Sequence, residues 1–175
     1  MIFRLFLVAQ IILICEPAFA KPITLVEFRD EFVKREFDSV KIGFVNTVPT
    51  LAASIDKQGF DAVLLECADS DGTCQAARFT TCRDLPGYSR LETLELANRM
   101  NVSENTGATY AKPASASASA SAGICVRLHT TFRGKDNFGL RHIYTWQQAV
   151  EDFTKSVDQD MRSRVSNDLR SLVER

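Results

Sequence analysis

The chain is poor in several things, and each shortage closes off a class of function. Of its 175 residues only two are histidine and one is tryptophan, and the formal net charge is −1. A near-neutral chain lacks the clustered basic excess that nucleic acid or an anionic membrane demands, so neither is expected as a partner. No G-x-S-x-G elbow and no Gly-rich phosphate loop occurs, so neither a hydrolase nucleophile nor a nucleotide cradle is signalled. His129 and His142, the only histidines, lack a ligand at the spacing zinc sites use. No metal or cofactor is expected.

What is present begins with an export signal. Arg4 supplies a short basic start, Leu5 to Ile14 an apolar core, and Ala18-Phe19-Ala20 a small-x-small cleavage site ahead of Lys21-Pro22. The apolar run is shorter than the roughly 20 residues a spanning helix needs, and Glu16 and Pro17 stop it. Residues 1–20 therefore read as a signal peptide cleaved near Ala20, with a periplasmic or secreted product and no membrane span. A lipoprotein is the competing reading, since Cys15 follows Ile12-Leu13-Ile14, but Ile14 is bulky for the position before a lipidated cysteine.

The mature part has the length of one ordinary domain, read here as 21–158 with a charged helical tail over 159–175. Thr24-Leu25-Val26-Glu27 is a capping box that opens an amphipathic helix predicted over Thr24 to Ser39. Lys41 to Val45 is short and mixed. Thr50 to Ile55 reads as a first strand, and Gly59 supplies positive φ for the reversal after it. Phe60 to Cys67 and Cys74 to Cys82 then form a hairpin around Ala68 to Thr73. On its second strand Ala76, Arg78 and Thr80 face one way, and Ala77, Phe79 and Thr81 the other. Ser89-Arg90-Leu91-Glu92 is a second capping box, and the helix it opens runs to about Met100 with Leu91, Leu94, Leu96 and Met100 apolar. Gly107 to Lys112 and Ile124 to Phe132 are strands, separated by an Ala-Ser stretch at 113–122 too poor in apolar area to pack. A turn at Gly134 to Asn137 leads to a long helix from Leu140, on which Tyr144, Trp146 and Phe153 are predicted to pack against the sheet.

The mature cysteines are Cys67, Cys74, Cys82 and Cys125, an even number that suggests two disulfides in an exported chain. Cys67 and Cys74 bracket the hairpin loop and are expected to staple it. They lack the C-x-x-C spacing of a redox pair. Cys82 and Cys125 either pair across neighbouring strands or stay apart. Cys74 and Cys82 cannot pair within one extended strand, because eight steps of about 3.3 Å separate them.

The run GFDAVLLECADSDGTCQAARFTTC, followed by YSRLETLELANRMN, resembles the centre of the YbjN family: a strand, a cysteine-bracketed acidic turn, a strand ending in an aromatic, and a helix carrying an asparagine. ICVRLHTTFRGKDNFGLRHIYTWQQAVEDFTKSV is similar to that family's last strand and final helix. The elements read along the chain fall in the order α-β-β-β-α-β-β-α, an antiparallel sheet with helices packed on it, and the resemblance implies an α+β fold like that of type III secretion chaperones. It also implies a regulatory or chaperone-like role without enzymatic activity. The Ala-Ser insert and the tail after Val157 depart from the family pattern.

Three sites remain to be weighed. Asp69 and Asp71 make an acidic turn that reads either as solvated or as a calcium loop, though the EF-hand register is absent. Met161, Val165, Leu169 and Val173 form an apolar stripe spaced by four, read either as a frayed solvated helix or as a surface for a protein partner or a second copy. The functional expectation is an exported, non-enzymatic protein- or peptide-binding module; the alternative is a small hydrolase using His129 or His142 with a nearby acid.

Overall fold

The computed structural model describes residues 21–70, 72–103, 107–112, 122–132 and 137–173, with the side chains of 168 and 171–173 excepted. The expectations for residues 1–20, for Asp71, for most of the Ala-Ser stretch and for the turn at 134–136 lie outside these described residues.

Thr24 caps α1 (Leu25–Val33) through the expected capping box, with Glu27 N–H donating to the Thr24 hydroxyl and Thr24 N–H donating to the Glu27 carboxylate. The helix is shorter than its periodicity suggests. Glu36 turns to a φ of 58°, and Phe37 N–H closes on the Phe32 carbonyl, so the chain leaves α1 and enters β1 (Asp38–Val45). Phe37, within the predicted helix, and Val40, just past its end, pack on the core from the extended segment instead. An apolar pair three apart satisfies either conformation, which is why the first strand was hidden.

β2 (Val48–Ile55), β3 (Gln58–Cys67) and β4 (Cys74–Asp84) follow as hairpins. Both short reversals are two-residue turns with positive φ at each centre, Asn46-Thr47 and Asp56-Lys57. Gly59, expected to supply the second reversal, instead lies within β3, because the tight turn falls on the polar dipeptide before it. Ser89 and Glu92 make the second capping box at the start of α2 (Arg90–Ser103). The buried face of α2 is Thr93, Leu96, Ala97 and Met100, a regular i, i+3, i+4, i+7 set; Leu91 and Leu94 are exposed. β5 (Ala108–Ala111), β6 (Gly123–Thr131) and the 34-residue α3 (Leu140–Val173) complete the chain.

The expected order holds, with one further strand at its start, and the sheet is antiparallel, six-stranded and open, in the order β1-β2-β3-β4-β6-β5. Three helices pack on one face. Trp146 of α3 stacks on Phe79 at 5.3 Å and meets Phe60 at 5.6 Å, while Phe28 and Phe32 of α1 meet Phe79 from its other side. Phe153 is fully buried as expected, but Tyr144 is 61% exposed, because it falls on the opposite side of α3 from Trp146. The far part of α3 is tied to α2. Asp160 accepts from the Tyr88 hydroxyl and from Arg99, and Arg164 pairs with Glu92 while its guanidinium sits over the Tyr88 ring.

Candidate functional site: the helix-free face of the sheet

Because strand side chains alternate, the residues between those that face the helices point to the other side of the sheet. The register resolves them into rows. One runs Thr50, Val63, Arg78, His129; the next runs Ala52, Asp61, Thr80, Arg127, Ala108, with Lys41 opposite Ala52; a third joins Cys82, Cys125 and Tyr110. Arg83, one step along from Cys82, pairs with Asp158 of α3 and fixes the parity: odd positions of β4 face the helices there, and even ones face away. No described helix packs on this second face.

Two guanidiniums and an imidazole gather on it. Arg78 and His129 stand directly opposite each other, and Arg127 lies one row further along β6. The Arg127 guanidinium sits 4.7 Å from the centre of the Tyr110 ring and donates to the Tyr110 hydroxyl. Among the described residues, no carboxylate lies within ion-pair distance of Arg78, Arg127 or His129. Asp61 is exposed at the far side of the Arg127 row, and the half-buried Val63 and Leu65 lie beside Arg78 and Ala76.

Both disulfides are formed: Cys67 with Cys74, closing the β3–β4 hairpin, and Cys82 with Cys125, joining β4 to β6 in register. The second leaves the open question about these two cysteines closed, and it lies under Tyr110 beside the cation rows. Cys74 is also held by an antiparallel bridge to Ile23, so the first described residues are fastened to the same sheet.

The two histidines meet at one shallow cleft of about 330 Å³ between the end of β6 and the first turn of α3. Leu128, His129, Thr130, Thr131, Arg141, His142 and Thr145 line it. His142 is clamped between the rings of Phe132 and Phe138, at 5.6 Å and 5.5 Å. The lining set holds hydroxyls and bases but neither serine nor a carboxylate. Among the described residues no three His, Cys, Asp or Glu side chains gather at metal-binding distances.

The tail stripe divides. Met161 packs on the core, Val165 and Leu169 are each 59% exposed, and the side chain of Val173 lies outside the described residues. Reading single strands found the alternation of Arg78 with Phe79 but missed Arg127 and Tyr110 as its companions. Only the pairing of β4, β5 and β6 brings them together, and the signal for that pairing is the Cys82–Cys125 match across a long separation.

Fold and face together define a two-layer α+β protein whose sheet is stapled twice and covered on one side. Comparison with known protein families, curated proteins and solved structures finds no match to this chain. No described helix is long and apolar enough to cross a membrane.

Proposed function

We propose that the chain is an exported, non-enzymatic binding module of the bacterial cell envelope, YbjN-like in its plan, that presents one bare sheet face to a protein or peptide. The observation that carries this reading is the asymmetry of the layers: three helices on one side of the sheet, none of the described ones on the other. Two disulfides support the oxidising compartment, since such bonds persist outside the cytosol. Lys21, the residue that cleavage after Ala20 would leave first, donates its backbone N–H to the Asn137 side chain.

Photocrosslinking in the living cell tests the reading, with the reactive residue placed at Phe44, Arg127 or Leu169, all exposed. A discrete adduct at Arg127, the site on the bare face, supports it, and an adduct of twice the chain mass at Leu169 identifies a second copy. Absence of any adduct overturns it. A small hydrolase is the second reading, favoured by the single cleft that His129 and His142 share with three threonines. Ester or peptide hydrolysis lost on His129→Asn or His142→Asn would replace the binding reading.

A further inference from the structure

Strand pairing does not account for the cations on the bare face. Arg78 lies directly opposite His129, and Arg127, opposite Thr80, is its diagonal neighbour one row along, so two guanidiniums share one patch of the face within reach of each other. A charged pair that the packing of the sheet does not call for is where function is sought. The guanidinium of Arg127 is held by the Tyr110 ring and hydroxyl, which occupy few of its five donors and fix its orientation. Among the described residues, no hydrogen bond or ion pair holds the Arg78 side chain.

We propose that this face binds an acidic segment of a protein partner, with Arg78, Arg127 and His129 receiving its carboxylates; the inference rests on the binding-module reading above. A guanidinium presents a planar fork that meets a carboxylate with two parallel bonds. Rows on the sheet lie about 7 Å apart, the spacing of alternate side chains in an extended peptide. A segment laid across them, parallel to the strands, therefore offers one acid to the Arg78–His129 row and the next to Arg127. The neighbours choose between a peptide and a uniform polyanion. Asp61 stands in the Arg127 row and would repel a strand charged at every unit, such as nucleic acid or a sulfated glycan. Val63 and Leu65, half-buried on the same face, offer apolar contact to the methylene stems of the sheet-facing glutamates.

The test uses the full processed chain with both disulfides intact and, as probe, a fluorescent peptide of alternating glutamate and leucine, followed by anisotropy. The glutamate peptide is expected to bind, its glutamine counterpart to bind weakly or not at all, and added salt to weaken the complex. Arg78→Gln and Arg127→Gln should each weaken binding roughly tenfold, as loss of a charge-assisted hydrogen bond does. Arg162→Gln, on the exposed side of α3, should leave it unchanged. Near-ultraviolet dichroism and non-reduced mass keep misfolded variants out of the comparison. Equal binding of the glutamine peptide, or binding untouched by Arg78→Gln and Arg127→Gln, overturns this inference while leaving the binding-module reading intact. Tighter binding of heparin or single-stranded DNA, lost with the same variants, overturns the acidic-peptide assignment. Failure of every probe overturns it too, and the crosslinking result then decides the broader reading separately.

Discussion

Asn101 on α2 holds both backbone groups of Thr109 on β5: its amide donates to the Thr109 carbonyl and its oxygen accepts the Thr109 N–H, each at 2.7 Å. A side chain thus does for the outer edge of β5 what a neighbouring strand would do, and it closes that edge against further pairing. Thr109 is 4% exposed, so its backbone groups have little water to turn to. Asn101→Ala is expected to cost about 1–3 kcal/mol in urea unfolding, the range for a buried group left unpaired. Asn101→Asp keeps the acceptor but turns the donor into a second acceptor facing a carbonyl, and should be no milder.

The two disulfides close loops of very different length, with partners 7 and 43 residues apart. In the chain-entropy account their loss costs about 2.5 and about 4 kcal/mol respectively, because only the unfolded chain gains freedom when the bond is cut. Replacing Cys82 and Cys125 together by serine should lower the unfolding midpoint more than replacing Cys67 and Cys74. Denaturant titration of the two double variants checks the order.

How much of this was legible in the sequence depended on whether a segment's neighbours were local. Capping boxes at Thr24 and Ser89 are complete within four residues, and both are present as read. The β3–β4 hairpin and its staple are likewise local. β1 was lost because Phe37 and Val40 suit a helix as well as a strand until Glu36 takes a positive φ. Apolar character alone does not mark the buried face of α2, because Thr93 and Ala97 turn toward the core with Leu96 and Met100 while Leu91 and Leu94 stay exposed. The cation rows depend on register between strands far apart in sequence, which no single strand encodes.

The Glu27 carboxylate is held down to about 2 from an ordinary 4.5, first by the Thr24 backbone N–H and then by Lys21 and the Thr24 hydroxyl. A depressed carboxylate contributes stability above its unfolded value and loses it as pH falls through the folded one. Glu27→Gln should therefore destabilise at neutral pH and become indistinguishable from the parent chain as pH drops from 4.5 toward about 2. Thr24→Ala should cost about 1 kcal/mol at neutral pH. Urea unfolding of both variants across that range measures the convergence.

Burial, with help from the hydrogen bond to Asp160, pushes the Tyr88 phenol from 10.0 up to about 12. The sign is opposite to that of Glu27: the folded chain keeps the proton longer, so its contribution is whole below pH 10 and is lost as pH rises through about 12. Parent and Tyr88→Phe should differ in unfolding free energy at neutral pH, and the difference should shrink over that alkaline interval. The same variant, like Asp160→Ala, should speed hydrogen exchange in α3 beyond residue 160, since Tyr88, Arg99 and Asp160 fasten that part of the helix to α2.

Thr47 and Lys57 occupy left-handed positions with φ of 68° and 69°, at the second centre of their hairpin turns. A side chain there costs about 1 kcal/mol relative to glycine, most for a β-branched residue. Thr47→Gly should raise thermal stability, and by more than Lys57→Gly does. Calorimetry of the two variants checks both the gain and its order.

The proposed function requires an exported sheet, stapled twice, that displays its bare face outside the cytosol. The measurement that tests it most directly is the intact mass of the chain recovered from the periplasm, unreduced and then reduced and alkylated, with peptide mapping of the cysteines. A chain that begins at Lys21 and carries Cys67–Cys74 and Cys82–Cys125 bridges, with no free thiol among the four, is expected. A retained or lipidated N-terminus, or free thiols at these positions, would contradict it.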